Sequence, residues 1–281
     1  MRQIRPFILG LVGAVLTLAT SNYVSAQTTT DGSVKVVAKG GDARYFVPGD
    51  SKSHDVKVGM MLKPGTIIQT ASGAGNYVDL VLNNAHAVAP PEATPSEIAS
   101  YKPKAEQDGI RIYENTVLSV DKLTITQTGA DTVTDTELDL KAGRILGTVK
   151  KLSPTSKYEV KIPNGVAGIR GTIYSLSASG ILQVLVGSVV VAYVGPDGNV
   201  VTQVVNAGEQ FDLTTGLVTP LSGQPLGQFI REAMHFRIAF VNTPTTFIAP
   251  DHRIYFISPN QGGNGQGQNQ GGNGGGNGQG N

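Results

Sequence analysis

The chain of 281 residues has no cysteine and no tryptophan. Without cysteine it can form no disulfide framework and no thiolate metal site. The cysteine that carries a bacterial lipoprotein anchor is missing as well. Aromatic residues are only 6% of the chain, so a core must come from Val, Ile and Leu, side chains that suit strands. Charged residues are only 15%. After residue 26 no apolar run is long enough to span a membrane; Ile181–Val194 is interrupted by Gln183 and Ser188 and reads as strand. There is no basic stripe, which argues against nucleic acid as a partner.

Glycine, in contrast, is abundant at 36 residues. Residues 1–26 read as a signal peptide. Arg2 and Arg5 open it, Phe7–Ala19 is apolar apart from Thr17, and Val24-Ser25-Ala26 precedes Gln27 as a cleavage site. Its removal takes Arg2 and Arg5, leaving 20 Lys and Arg against 21 Asp and Glu, a net charge of −1. The expected location is periplasmic or secreted, with no membrane span after cleavage.

The mature chain divides into a flexible N-terminus, 27–33, and a β domain, 34–223. A Pro-rich insertion, 83–108, interrupts that domain. A helix and a wrapping segment follow at 224–260, and a disordered Gly/Asn/Gln-rich tail closes the chain at 261–281. Val34–Ala38 and Ala43–Val47 read as a hairpin across Gly40-Gly41. In Tyr77–Leu82, Val78, Leu80 and Leu82 share one face, the period of a half-buried strand. Asp79, Asp121 and Asp139 then fall on the solvent face. Thr126–Thr136 reads as a polar hairpin tip. Leu226, Phe229, Ile230, Ala233 and Met234 recur at helical spacing over Pro225–Arg237. The tail has no apolar side chain to offset the entropy of ordering it. The fold class that follows is all-β: a sandwich or short β-roll of many short antiparallel strands with one amphipathic helix near the C-terminus.

No catalytic constellation stands out. His54, His86, His235 and His252 lack metal-ligand spacing, and no serine lies in Gly-Xaa-Ser-Xaa-Gly. Asp131 and Asp135 lack the ligand density of a calcium loop. No cofactor is implied. The most distinctive stretch is Gly168-Ile169-Arg170-Gly171-Thr172. Ile169 is expected to point inward, and Arg170 outward against carbonyls or a carboxylate such as Glu209 or Asp212. Flanking glycines permit positive φ or close backbone approach.

Gly143, Ile162-Pro163, Ile169-Arg170-Gly171-Thr172, Gly187-Ser188-Val189 and Ala207-Gly208-Glu209 occur in an order that resembles the FecR domain family. The resemblance spans roughly 34–213. It implies an exported β domain in which Gly168, Ile169, Arg170, Gly171, Thr172, Gly187, Gly208 and Glu209 are structural or interaction residues. The family's best-known members add a cytoplasmic anti-sigma segment and a transmembrane helix; this chain, with a cleavable signal, reads as a stand-alone exported member. Its expected function is a non-catalytic module for protein interaction or sensing in the bacterial envelope, with a protein or envelope partner of unknown identity. The alternative is a structural envelope or matrix component assembling through the low-complexity tail.

Overall fold

A computed structural model describes residues 27–83, 105, 108–128, 131–195, 197–241, 245–248 and 254–257. Residues 1–26, expected to be a signal peptide, most of the Pro-rich insertion and the Gly/Asn/Gln tail lie outside the described residues.

Among the described residues, seventeen strands form one curled sheet with two facing layers. The first layer contains β2 (Ser33–Gly40), β5 (Met61–Leu62), β7 (Tyr77–Asn83), β8 (Gly109–Ile112) and β11 (Arg144–Val149). It runs in the order β5, β2, β7, β8, β11. The second layer contains β3 (Ala43–Phe46), β4 (His54–Asp55), β6 (Ile67–Thr70), β9 (Val117–Gln127), β10 (Thr132–Ala142) and β12 (Lys157–Ile162). Its order is β4, β3, β6, β9, β10, β12. Two long strands, β13 (Gly165–Ser177) and β14 (Ile181–Val194), belong to both layers. The first half of β13 pairs with β12 and its second half with β11. β14 pairs with β15 (Val200–Asn206) in the second layer and with β16 (Glu209–Asp212) in the first, and β17 (Leu217–Pro220) adds to β16. Strands that switch sheets at a bend are how two layers share a corner.

The core lies between the layers and is aliphatic, as the scarcity of aromatics requires. Val36, Leu80, Ile110, Ile145 and Val184 come from one side, and Ile68, Leu118, Leu138, Val160 and Val191 from the other; all are buried in one cluster. Val78, Leu80 and Leu82 share the inner face, as the alternation predicts. The all-β class with one helix near the C-terminus therefore holds.

Several local expectations need correction. Thr28–Asp31, within the segment expected to be flexible, is β1 and pairs antiparallel with β9. β2 and β3 do not form a hairpin with each other. Gly40–Asp42 carries the chain from one layer to the other, so β2 pairs with β7 and β3 with β6. β10 and β12 pair in parallel, because β11 crosses to the opposite layer between them. The polar tip is shorter than expected. Thr134 and Thr136 are buried strand residues, their β-branched bodies filling inward positions where hydrophobicity gave no signal.

The helix, α1 (Gly223–Val241), begins at Gly223 with Pro225 in its first turn. It lies on the outer face of the first layer. Phe229, Ala233 and Phe236 pack there against Val37, Val81, Leu146 and Ile173, with Leu226 partly buried beside them. A separate hairpin pairs β18 (Thr245–Ile248) with β19 (Ile254–Ile257).

Candidate functional site

The eight motif residues mark where the sheet folds over. β13 bulges there: Arg170 pairs with Ser188 and Ile173 with Val186, so Gly171 and Thr172 together oppose Gly187. A bulge of two residues against one bends the strand and raises its twist. Gly171 has φ 67° and Gly187 has φ 78°. On the far side of β14 the chain steps from β15 to β16 through Ala207 and Gly208, with φ 80° at Gly208. Three left-handed glycines thus lie in line across β13, β14 and the β15–β16 step. They form the crease at which one layer becomes the other.

The remaining motif residues hold the crease in place. Ile169 is 4% exposed and points into the core, as expected. Thr172 is fully buried, and its hydroxyl reaches the carbonyl oxygens of Ser188 at 2.9 Å and Arg170 at 3.1 Å. Gly208 N donates to Val184 O at 2.8 Å. The Glu209 carboxylate accepts from Asn206 N at 2.7 Å and closes the turn. Gly168 has neither a left-handed φ nor a crowded Cβ position, so its role is not steric.

Arg170 corrects the expectation. Its side chain is exposed and makes no hydrogen bond or ion pair to any described residue. Glu209 is engaged with Asn206, and Asp212 with Thr214 N at 2.8 Å. Each bonds a turn amide next to it in sequence, and neither pairs with Arg170. The guanidinium is therefore presented to solvent from a rigid corner.

A second constellation, beneath α1, escaped the sequence reading. Asp79 does not face solvent but is fully buried. The Arg111 guanidinium grips it through Nε and Nη2, both at 2.7 Å. The two residues stand opposite each other on β7 and β8. Arg111 also stacks on Tyr77 at 4.7 Å and lies 5.5 Å from the Phe236 ring. Beside them, Glu232 of α1 accepts from Arg144 Nη1 at 2.9 Å, Tyr113 Oη at 2.8 Å and Gln228 Nε2 at 3.0 Å. Arg144 lies 3.7 Å above the Tyr113 ring. The N-terminal part of α1 and the sheet enclose a cleft of about 280 Å³ lined by Arg144, Ser175, Gln183, Gln228 and Glu232. One sequence signal pointed here: Val81 and Leu146 occupy outward positions where a one-sided sheet would carry polar residues.

Burial pushes the Glu232 carboxyl up, but hydrogen bonds from Arg144, Gln228 and Tyr113 outweigh it and hold the group below its ordinary range. A carboxyl lowered in the folded state stabilises the fold at pH above its unfolded value, and this contribution is lost as pH falls through the folded value. Stability measured from about pH 7 down to about pH 3 should therefore fall, and Glu232→Gln should fall less steeply over the carboxylate range. Equal slopes for the two proteins would show that Glu232 does not clamp the helix.

The fold and the crease define a two-layer β module with a helix clamped to one layer. Residues 103–190 match the family described as "FecR protein", and the chain carries a FecR domain there. The match takes in the crease from Gly168 to Gly187; Gly208 and Glu209, and the strands before residue 103, lie outside it. Two crystal structures of a protein assigned as an anti-sigma factor from Parabacteroides distasonis ATCC 8503 are similar to the chain. The 1.65 Å structure is 13% identical with a TM-score of 0.32, covering 53% of this chain and 57% of that one. The 2.50 Å structure is 14% identical with a TM-score of 0.29, covering 51% and 58%. The chain thus spans somewhat over half the length of those structures. No curated protein matches it. Among the described residues no helix is long and apolar enough to cross a membrane.

Proposed function

We propose that this chain is a non-catalytic, exported interaction module of the bacterial envelope, which binds a protein partner through the corner that carries Arg170. The observation behind this reading is the contrast within one motif. Ile169, Thr172 and Glu209 are all engaged, whereas Arg170, between them, is exposed and unpaired among the described residues. A guanidinium offers several donors in a planar fork suited to a carboxylate. Held beside a bulge, it loses little backbone freedom on binding. Export rests on the signal-like residues 1–26.

Arg170→Ala should leave unfolding within about 0.5 kcal/mol of the parent, as for surface substitutions that touch nothing. It should also abolish capture of the parent's crosslinked partner in intact cells. A variant that melts like the parent and still captures the same partner would remove Arg170 from the contact. Export is checked separately by the intact mass of the mature protein, expected to begin at Gln27. A form retaining Met1 in the membrane fraction would rule out cleavage.

A further inference from the structure

We propose that the free edge of β15 pairs antiparallel with the same edge of a second copy of this chain, about a two-fold axis at Thr202. β15 ends the second layer and has one strand partner, β14, among the described residues. Val194 N donates to Asn164 O on the β13 side. In β14, therefore, Val189, Val191 and Tyr193 turn their amides toward β15, where they meet Val205, Gln203 and Val201. The N–H and C=O groups of Val200, Thr202 and Val204 are left pointing away from the sheet.

Edge strands are normally blunted by charge, proline or a bulge. Val200–Asn206 reads Val-Val-Thr-Gln-Val-Val-Asn and carries none of these. Its surroundings are apolar too. Of the ten exposed large hydrophobic residues among the described ones, seven lie on β14, β15 and β17: Val190, Val194, Val200, Val201, Val204, Leu217 and Val218. Val200 is 74% exposed and Val194 56%.

A like strand fits this edge better than an unlike one. The segment offers no charge by which to select a different partner, and around Thr202 it has apolar ends and a polar centre. The register is also set. Asn206 N is occupied by Glu209, so pairing uses Val200, Thr202 and Val204. Val200 then faces the partner's Val204, and the apolar stripe of Val190 and Val194 continues across the junction. The side chain of Gln203, which donates to Val204 O at 2.6 Å, must swing aside. These residues are distinct from Arg170, so the pairing stands or falls independently of the proposed contact there.

Sedimentation velocity across a concentration series is expected to show a monomer–dimer equilibrium. Thr202→Pro removes an amide that points off the sheet, and Thr202→Lys sets like charges directly opposite each other across the axis. Each should weaken the dimer at least tenfold with an unchanged strand signal in circular dichroism. The chain has no cysteine, so Thr202→Cys introduces a single thiol. A short bis-maleimide should link it into covalent dimers, while Val47→Cys, exposed at the other end of the molecule, should stay monomeric under the same treatment. A monomer at every concentration would overturn the proposal, even if another protein occupied the edge. So would a dimer that tolerates both edge variants, or one crosslinked equally well through residue 47.

Discussion

Gly187→Ala is expected to destabilise the protein by about 3 kcal/mol or more, against about 1–2 kcal/mol for Gly171→Ala. Both residues have left-handed φ, so both variants carry the backbone strain of an L side chain there. They differ in what a new Cβ would meet. At Gly171 the nearest atom is Lys151 Cα at 3.6 Å, an ordinary contact. At Gly187 a Cβ would lie 2.4 Å from Gly171 O and 2.9 Å from Thr172 Oγ1. Those atoms cannot move without opening the bulge. The crease is the place where both layers share strands, so its loss should be felt across the whole sheet. Denaturant unfolding of the two variants beside the parent measures the difference. Equal costs would mean that strain alone sets the requirement for glycine and that the crease yields to an added methyl group.

How far the fold was legible follows the same physics. Alternation of Val, Ile and Leu marks a strand and its inner face locally, which is why Val78, Leu80 and Leu82 were placed correctly. Which layer a strand joins depends on bends, and bends depend on backbone dihedrals that a glycine permits but does not dictate. Gly40-Gly41 looked like a hairpin turn and is a crossing between layers. Gly168 and Gly171 looked alike, and only Gly171 has a left-handed φ. Within the motif, Ile169 was legible because its position has an inside and an outside. The surroundings of Arg170 were not: the carboxylates nearest in the motif bond turn amides beside them and do not pair with it, which spacing does not reveal. The constellation beneath α1 was missed because an aspartate on an outward position reads as solvated. Only the helix, arriving from far along the chain, turns that face into an interior.

Breaking the Asp79–Arg111 pair is expected to have the other large effect. Asp79→Ala should cost about 3–5 kcal/mol, the loss typical when one member of a buried ion pair is removed. The Arg111 side chain is 12% exposed, and Asp79 Oδ1 and Oδ2 receive its Nε and Nη2. Without Asp79 a guanidinium remains between Tyr77 and Phe236 with no anion beside it. Arg111→Ala should cost a similar amount, leaving a fully buried carboxylate unpaired and removing the stem that packs against those rings. The double variant Asp79→Leu/Arg111→Met removes both charges and keeps apolar volume, so it should be more stable than either single variant. With the single variants Asp79→Leu and Arg111→Met completing the cycle, the shortfall from additivity measures the coupling. Because Phe236 of α1 lies over Arg111, the single variants should also undock the helix before the sheet unfolds. Amide exchange in Gly223–Val241 should then speed up more than exchange in β9 or β10. Additive costs in the double variant would mean that the pair is not coupled, and unchanged exchange in the helix would mean that docking of α1 does not depend on the pair.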